Sequence, residues 1–219
     1  GSAPVRVAET IARLYSGGEL FLHIGVTLYE TVLGFVLGTA AGTLIAITLW
    51  WSPAINRVLD PYLVVLNALP KIALGPILIV WFGAGITSII VMALLISFVV
   101  TIMSVLAGFN EITGEKQLLM KTLGASKLQI FTMVVLPASL PTIMNALKIS
   151  VGMSWVGVIV GEYLVSKAGL GYLIVYGGQV FKLDLVMASI VVLCLLAALM
   201  YYGVAYMEKK LVKWRMHGG

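Results

Sequence analysis

The sequence predicts an all-α, polytopic membrane protein with five transmembrane helices. Of the 219 residues, 61% are hydrophobic and only 11% are charged, whereas a soluble domain averages about 25% charged residues. This much apolar surface does not fit inside one water-soluble core, so the composition indicates the bilayer as solvent. Most cations flank apolar runs, as the positive-inside rule expects. The net charge of +5 therefore does not indicate a nucleic-acid partner.

The apolar runs define the predicted elements in chain order. The leading Gly-Ser resembles a remnant of tag cleavage and is left out of fold reasoning. The rest of segment 1–22 mixes charges with apolar residues at helical spacing, which predicts a helix lying in the outer interface. Runs that approach the roughly 20 residues of a span follow at 31–50, 62–81, 86–108, 142–161 and 185–206.

The lysines and arginines divide unequally between the two sides of these spans. Eight would lie on one side: Arg57, Lys116, Lys121, Lys127, Lys209, Lys210, Lys213 and Arg215. Four would lie on the other: Arg6, Arg13, Lys167 and Lys182. Because cytoplasmic segments carry the excess of cations, residues 109–141 and the C-terminus are predicted to be cytoplasmic. The N-terminus would then lie outside with no hydrophobic segment ahead of it, so we expect that a preceding span was removed or was never present.

The second run is interrupted near its middle. Its stretch NALPKIALGP carries Pro70 and Pro76, each of which removes a backbone donor, and Gly75 lies between them. Broken backbone at membrane depth is tolerated only where protein or a water-filled cavity satisfies it. The break is therefore either a kink that shapes packing or a hinge that lines a pathway.

Polar residues distinguish the fourth run, and glycines distinguish the first. Lys148 is expected to extend its side chain to the cytoplasmic interface. Glu162 is expected to cap a helix or form a salt bridge at the opposite edge. Gly34, Gly38 and Gly42 share one helix face, where they would let another helix pack closely.

The sequence lacks the clusters that carry catalysis or bind metals. Its two histidines, His23 and His217, are far apart, and no Cys/His group has metal-ligand spacing, so no metal site is expected. It contains no phosphate-binding glycine loop and no G-x-S-x-G stretch. We therefore expect neither a catalytic residue nor a cofactor in this chain.

Residues 118–141, LLMKTLGASKLQIFTMVVLPASLP, differ from a span because they combine lysines with an amphipathic pattern. The expected apolar surface consists of Leu118, Leu119, Leu123, Leu128, Ile130 and Phe131. Glycine at a position such as Gly124 commonly ends a helix and turns the chain, and Pro137 and Pro141 would close the segment. The pattern predicts two short helices at an angle on the cytoplasmic side.

This segment resembles the signature loop of binding-protein-dependent ABC importer permeases, whose pattern is Glu-Ala-Ala, three residues, Gly, nine residues, Ile-x-Leu-Pro. Gly124 is followed ten residues later by Val134 in place of Ile, and then by Leu136 and Pro137. The Glu-Ala-Ala positions hold Leu118, Leu119 and Met120. The stretches GELFLHIGVTLYETVLGFVLG, LPKIALGPILIVWFGAG and GEYLVSKAGLGYLI resemble the taurine, sulfonate and nitrate branch, which includes transporters of thiamine precursors and riboflavin.

The resemblance implies one transmembrane permease domain over residues 1–219 with the type I importer fold, in which residues 109–141 form the cytoplasmic coupling loop. It implies a homodimeric pathway in a bacterial or archaeal cell membrane, two ATPase subunits that bind ATP-Mg, and a solute-binding protein outside. The residues expected to couple to the ATPase are Leu123, Gly124, Ala125, Ser126, Val134, Leu136 and Pro137. Those expected to line the pathway are Asn67, Pro70, Ser154 and Trp155.

The alternative function is an ATP-independent secondary carrier or a channel. A carrier usually shows intramembrane acids or an inverted repeat. Glu30 and Glu162 are expected near the membrane edges, and no clear repeat is present. A membrane-embedded enzyme would need His, Asp or Glu residues clustered at one depth, which the sequence lacks.

Overall fold

The computed structural model describes residues 4–112 and 114–216, with side chains described up to residue 210. Within these residues the chain is helical and contains no strand. The helices are α1 (Pro4–Ser16), α2 (Glu19–Trp51), α3 (Pro53–Ala68), α4 (Gly75–Phe82), α5 (Ile86–Asn110), α6 (Gly114–Thr122), α7 (Lys127–Ile130), α8 (Leu136–Val165), α9 (Leu170–Gln179) and α10 (Leu183–Met216). A 3-10 turn at Lys71–Leu74 precedes α4, and a π turn at Phe131–Val135 joins α7 to α8.

Four helical stretches are long and apolar enough to cross a membrane. They are Glu19–Trp51, Ile86–Asn110, Lys127–Val165 and Leu183–Lys210. The pair Pro53–Ala68 and Lys71–Phe82 counts as a fifth if it is taken as one span bent by 87°. The predicted all-α, polytopic architecture is confirmed, and the break in the second span lies where Pro70 predicts it.

The N-terminal boundaries differ from the prediction. The first helix ends at Ser16, and Gly18, with φ of +76°, reverses the chain before α2 begins at Glu19. The 33 residues of α2 make a helix about 50 Å long at 1.5 Å per residue. The sequence placed this span at 31–50, the run without a charged residue that follows His23 and Glu30. In the structure both are buried within the helix packing.

The prolines of the fourth span do not close the preceding segment, which corrects the expectation at Pro137 and Pro141. The helix continues from Lys127 to Val165. The Leu136 amide bonds the Phe131 carbonyl five residues back, and this wider π turn admits Pro137 into the first turn of α8. Downstream, the Ser139 hydroxyl bonds the Val135 and Gly108 carbonyls at 2.7 and 3.0 Å.

The chain divides into two compact units, to which α2, α5, α8 and α10 each contribute a part. Unit 1 comprises Gly1–Gly38, Pro70–Ser97 and Val151–Tyr201. Unit 2 comprises Thr39–Leu69, Phe98–Ser150 and Tyr202–Gly219. The four cations assigned by sequence to one side belong to unit 1, and the eight assigned to the other belong to unit 2.

Small residues let α2, α5 and α8 pack closely within unit 1. A Cβ added at Gly34 would lie 2.6 Å from the Ala93 Cβ, and one added at Gly157 would lie 2.5 Å from the Ala93 Cα. Both distances are shorter than real side chains allow, so glycine is required for this spacing. The predicted packing role of the α2 glycines is confirmed, and in unit 2 Gly42 packs against Thr101 in the same way.

Unit 2 has an aromatic core and one ion pair between helices. Phe131 lies 5.4 Å from Phe109 and 4.9 Å from Trp50 between ring centroids. Lys148 on α8 pairs with Glu208 on α10 at 2.8 Å, and both side chains are largely buried. The sequence did not indicate this ion pair, whose partner lies sixty residues further along the chain, and the interfacial position of Lys148 stays a prediction.

Candidate coupling site

The turn between α6 and α7 is built entirely from local hydrogen bonds. After α6 ends at Thr122, Gly124 adopts φ of +80° and its amide bonds the Lys121 carbonyl, while the Ala125 amide bonds the Met120 carbonyl, both at 3.0 Å. This pair of bonds is the Schellman motif, which favours glycine at the left-handed position. The predicted helix-turn-helix around Gly124 is thus present.

Ser126 begins the second helix through a capping box. Its hydroxyl accepts the Gln129 amide at 3.3 Å, and the Gln129 side-chain oxygen accepts the Ser126 amide at 2.8 Å. The spacing Ser-x-x-Gln is a sequence signature of this motif, so Ser126–Gln129 was recognisable from the sequence. Together the two motifs make Leu123–Ser126 a fixed connection.

The apolar residues of this segment separate into an exposed group and a buried group. The exposed leucines are Leu118 at 62%, Leu119 at 61%, Leu123 at 74% and Leu128 at 58% exposure. Ile130 and Phe131 are buried in the core of unit 2 instead, which corrects the single apolar surface that the sequence suggested. The exposed group, called here the leucine face, packs against nothing in the described part of this chain.

The second helix is anchored to the C-terminal end of α2. The Lys127 ammonium group donates to the Trp51 carbonyl at 2.5 Å and lies 5.6 and 5.4 Å from the ring centroids of Trp50 and Trp51. Phe131 packs against the same two rings. A displacement of α7 would therefore be transmitted directly to α2.

The remaining coupling candidates lie where the loop joins the fourth span. Val134 belongs to the π turn, and Leu136 and Pro137 begin α8. All three are half-buried, and Leu136 packs against the core of unit 2. Their position supports a role in connecting the loop to the span, and their contact with an ATPase stays a prediction.

The pathway candidates fall in both units. Asn67 is exposed near the end of α3, in unit 2, and Pro70 stands at the 87° bend in unit 1. Ser154 and Trp155 are buried in unit 1, and neither the Ser154 hydroxyl nor the Trp155 indole nitrogen has a hydrogen-bond partner among the described residues. Their assignment to a translocation pathway stays a prediction.

The sequence missed a buried carboxyl network in unit 1. Glu162 is 1% exposed and accepts hydrogen bonds from the Thr27 hydroxyl at 2.6 Å and from the Gly171 and Tyr172 amides at 2.5 and 3.3 Å. The Thr27 hydroxyl also accepts the Leu170 amide at 2.7 Å. The capping role expected of Glu162 is confirmed, whereas its burial was not expected, and its place at a membrane edge stays a prediction.

Two further residues complete this network. The His23 ring accepts the Gly169 amide through Nδ1 at 2.9 Å. Glu30 is fully buried beside Glu162, and its oxygens have no hydrogen bond of acceptable geometry in the described part of the chain. The sequence placed Glu30 near an edge as well, because the neighbours that bury it come from distant segments.

These features define a class of protein: a polytopic helical membrane protein with a broken span and an exposed helix-turn-helix. The family model for the binding-protein-dependent transport system inner membrane component matches residues 34–213. The chain belongs to this family and is the membrane-spanning permease subunit of an ABC importer.

Individual relatives agree with this assignment. The chain is 32% identical over 97% of its length to a Bacillus subtilis (strain 168) permease protein named for aliphatic sulfonates transport, SsuC, and covers 77% of it. It is 31% identical over 97% of its length to the formylaminopyrimidine transport permease protein ThiX of Halalkalibacterium halodurans, and covers 85% of it. A solved structure of the MetNI methionine ABC transporter matches 86% of this chain and 94% of that chain with a TM-score of 0.75 at 20% identity, which supports the fold.

Proposed function

We propose that the α6–α7 segment is the surface on which an ATPase subunit docks and through which ATP-driven movement reaches the spans. The observation that carries this proposal is the leucine face: four leucines are exposed on a fixed helix-turn-helix that Lys127 anchors to α2. A partner that covers these side chains gains their apolar burial. The fixed turn then moves as one body with α2 and α8.

The assembly that follows contains two copies of this chain, two ATPase subunits and a solute-binding protein. ATP-Mg belongs to the ATPase subunits, and this chain contributes no catalytic residue. The excess of cations in unit 2 supports a topology in which residues 109–141 and the C-terminus are cytoplasmic.

The relatives support a small polar organic solute as cargo. SsuC is named for aliphatic sulfonates and ThiX for formylaminopyrimidine. We assign this chain to the same range of substrates, a sulfonate or a vitamin precursor, delivered by the binding protein. The broken second span and the fourth span are the proposed walls of its pathway.

Substitution of Gly124 tests the docking proposal. Gly124→Val forces a β-branched residue into a left-handed conformation, which costs about 1–2 kcal/mol, and places a side chain at the turn that faces the partner. We expect the permease to remain in the membrane but to lose bound ATPase in a pull-down and to lose uptake in vesicles. At an interface, a loss of about 2 kcal/mol corresponds to roughly thirtyfold in affinity.

Gly18 provides a matched control. It has φ of +76° and no atom within 4 Å of an added Cβ, as Gly124 has φ of +80° and equal space, but it lies between α1 and α2. Gly18→Val therefore carries the same backbone strain away from the leucine face and should retain the ATPase. If both variants lose the ATPase equally, or if Gly124→Val keeps both the ATPase and full uptake, the docking assignment is wrong.

Thiol labelling tests the topology independently. Single cysteines at Lys121 and Lys167, both exposed positions, are introduced in a Cys194→Ala background. An impermeant maleimide added to intact cells should label position 167 and leave position 121 unlabelled until the membrane is opened. Labelling of position 121 in intact cells would reverse the proposed orientation.

A further inference from the structure

The described part of unit 1 contains a large open cleft whose charged lining residues are mostly cations. Its volume is about 1160 Å³, and its lining brings together α1, the α8–α9 loop, α9 and the α9–α10 turn. Cations outnumber carboxylates two to one in this lining. The cations are Arg6, Arg13, Lys167 and Lys182, and the carboxylates are Glu19 and Asp184.

Three of the four cleft cations are not neutralised by a carboxylate of the described residues. Among the described residues, Arg13, Lys167 and Lys182 form no ion pair with a carboxylate. Arg13 instead donates to the Thr10 hydroxyl at 3.3 Å, and Thr10 in turn donates to the Arg6 carbonyl at 2.8 Å. Both bonds lie within α1, and they leave the Arg13 guanidinium with further donors for an oxyanion in the cleft.

One wall of the cleft is aromatic. The rings of His23, Tyr172 and Tyr176 form a ladder, with centroid separations of 6.1 and 6.0 Å and interplanar angles of 19° and 18°. Tyr172 is half-buried and Tyr176 is exposed. Stacked rings with phenol groups at their edges present both an apolar face and hydrogen-bonding groups.

Phe181 supplies a second, independent observation at the same cleft. It is 88% exposed, and its φ of +56° makes it the one residue other than glycine with positive φ in the described chain. It occupies the left-handed position after α9, where the Lys182 amide bonds the Gly177 carbonyl at 2.8 Å. The Phe181 amide also bonds the Gly178 carbonyl at 3.3 Å, so its positive φ belongs to the C-terminal cap of α9. The feature that bears on ligand binding is the exposed ring, which this cap holds in the lining of the cleft.

We propose that this cleft binds an amphiphilic oxyanion, with a sulfonate, phosphate or carboxylate group held by Arg13, Lys167 and Lys182 and an apolar body held against Tyr176 and Phe181. The depth of the cleft favours a small group over a flat protein surface, because Thr10 and Leu173, at 4% and 6% exposure, belong to its lining. The proposal does not depend on docking of an ATPase.

Lysine labelling of the full chain in nanodiscs tests the proposal and distinguishes two sources of the anion. Acetylation rates of Lys167 and Lys182 are measured by mass spectrometry, with exposed Lys116 of unit 2 as internal reference. One arm adds p-toluenesulfonate to phosphatidylcholine nanodiscs and compares it with neutral p-toluenesulfonamide at equal ionic strength. The other arm replaces part of the phosphatidylcholine with phosphatidylglycerol.

Occupancy of the cleft should slow labelling of both cleft lysines relative to Lys116. At a probe concentration three times its Kd the labelling rate falls about fourfold, since the free fraction is 1/(1 + [L]/Kd). Protection by the sulfonate identifies a free solute, and protection by phosphatidylglycerol identifies a lipid headgroup. Absence of protection in both arms, or equal slowing at Lys116, overturns the proposal.

Phe181→Asn separates ligand binding from a structural role. Asparagine tolerates the left-handed conformation better than phenylalanine does, so the variant should have an unchanged or higher unfolding temperature. The same variant should lose most of the protection at Lys182. The Arg13→Gln variant should also lose the protection of the cleft lysines from acetylation. The Arg57→Gln variant, changed in unit 2, should retain that protection. A Phe181→Asn chain that unfolds earlier and keeps full protection would assign this residue to the fold alone.

Discussion

The two connections that reverse the chain beside the fourth span are stabilised in opposite ways. Between α6 and α7, in unit 2, every hydrogen bond of the turn joins residues within six positions of one another. Between α8 and α9, in unit 1, the loop amides of Gly169 and Leu170 bond to His23 and Thr27, 146 and 143 residues away. The first connection is held by bonds within itself, whereas the second also depends on bonds to α2.

This difference suits the ATPase docking proposed for the first connection and the structural role of the second. A segment that must fit a separate protein benefits from a shape that it holds by local bonds while it exposes its leucines. A segment that ties three helices together needs partners from each of them, and a buried carboxyl group with four acceptor positions can serve several donors at once. Unit 1 should therefore depend on single polar side chains far more strongly than unit 2 does.

Removal of Glu162 should have the largest effect. Glu162→Ala leaves the Thr27 hydroxyl and the Gly171 and Tyr172 amides without their acceptor in a buried site, and breaking such a network costs about 3–5 kcal/mol. The free energy of unfolding, measured by denaturant titration in mixed micelles, should fall by this amount.

The matched substitution in unit 2 is Ser126→Ala, which removes the cap of α7 and should cost about 0.5–2 kcal/mol. Glu162→Gln keeps one acceptor oxygen, so its loss of unfolding free energy should lie between those of Glu162→Ala and Ser126→Ala. If Glu162→Ala is no more destabilising than Ser126→Ala, the α8–α9 loop does not depend on its long-range bonds and the contrast between the units disappears.

A smaller effect is expected where helix packing in unit 1 excludes a methyl group. Gly157→Ala places a Cβ 2.5 Å from the Ala93 Cα and 3.0 Å from its nitrogen, and overpacking of this kind costs about 1–3 kcal/mol. Gly152→Ala, on the same helix with nothing within 4 Å of its added Cβ, should be neutral or stabilise by up to about 1 kcal/mol. Thermal unfolding of the two variants side by side measures the difference, and equal stabilities would mean that α5 and α8 move apart freely.

The same contrast explains which parts of the molecule could be predicted from the sequence. The third span was predicted at 86–108 and is Ile86–Asn110, because a long apolar run needs no distant partner to be recognised. The break at Pro70 and the turn at Gly124 were recognisable for a similar reason, since proline and glycine act on their own backbone.

Features that depend on distant partners were missed or misplaced. Glu30 and Glu162 are buried because α2 and α9 pack together. The hydrophobic periodicity of the sequence gives no information about that contact. The ion pair of Lys148 was missed because its partner Glu208 lies sixty residues further along the chain. Continuation of the helix through Pro137 depends on a π turn, which has no simple sequence pattern. The helix α9 was not predicted, because its ten residues contain three glycines and no charged side chain and so show no amphipathic pattern.

The smallest stability effect is expected at Lys127, where unit 2 holds its loop through an exposed side chain. Lys127→Gln loses the bond to the Trp51 carbonyl and the position of the ammonium group over two tryptophan rings. A cation–π contact at an exposed site contributes about 0.5–1 kcal/mol, so the unfolding free energy should change by no more than this.

The consequence for transport should be larger than the consequence for stability, because Lys127 and Phe131 are the contacts that connect α7 to the end of α2. We expect Lys127→Gln to bind the ATPase normally but to move less solute per ATP hydrolysed in reconstituted vesicles. Lys116→Gln, an exposed lysine on α6 that contacts neither tryptophan, is the control and should match the unsubstituted protein in both measurements. A Lys127→Gln permease with an unchanged ratio of transport to hydrolysis would show that movement of the loop reaches the spans through α8 alone.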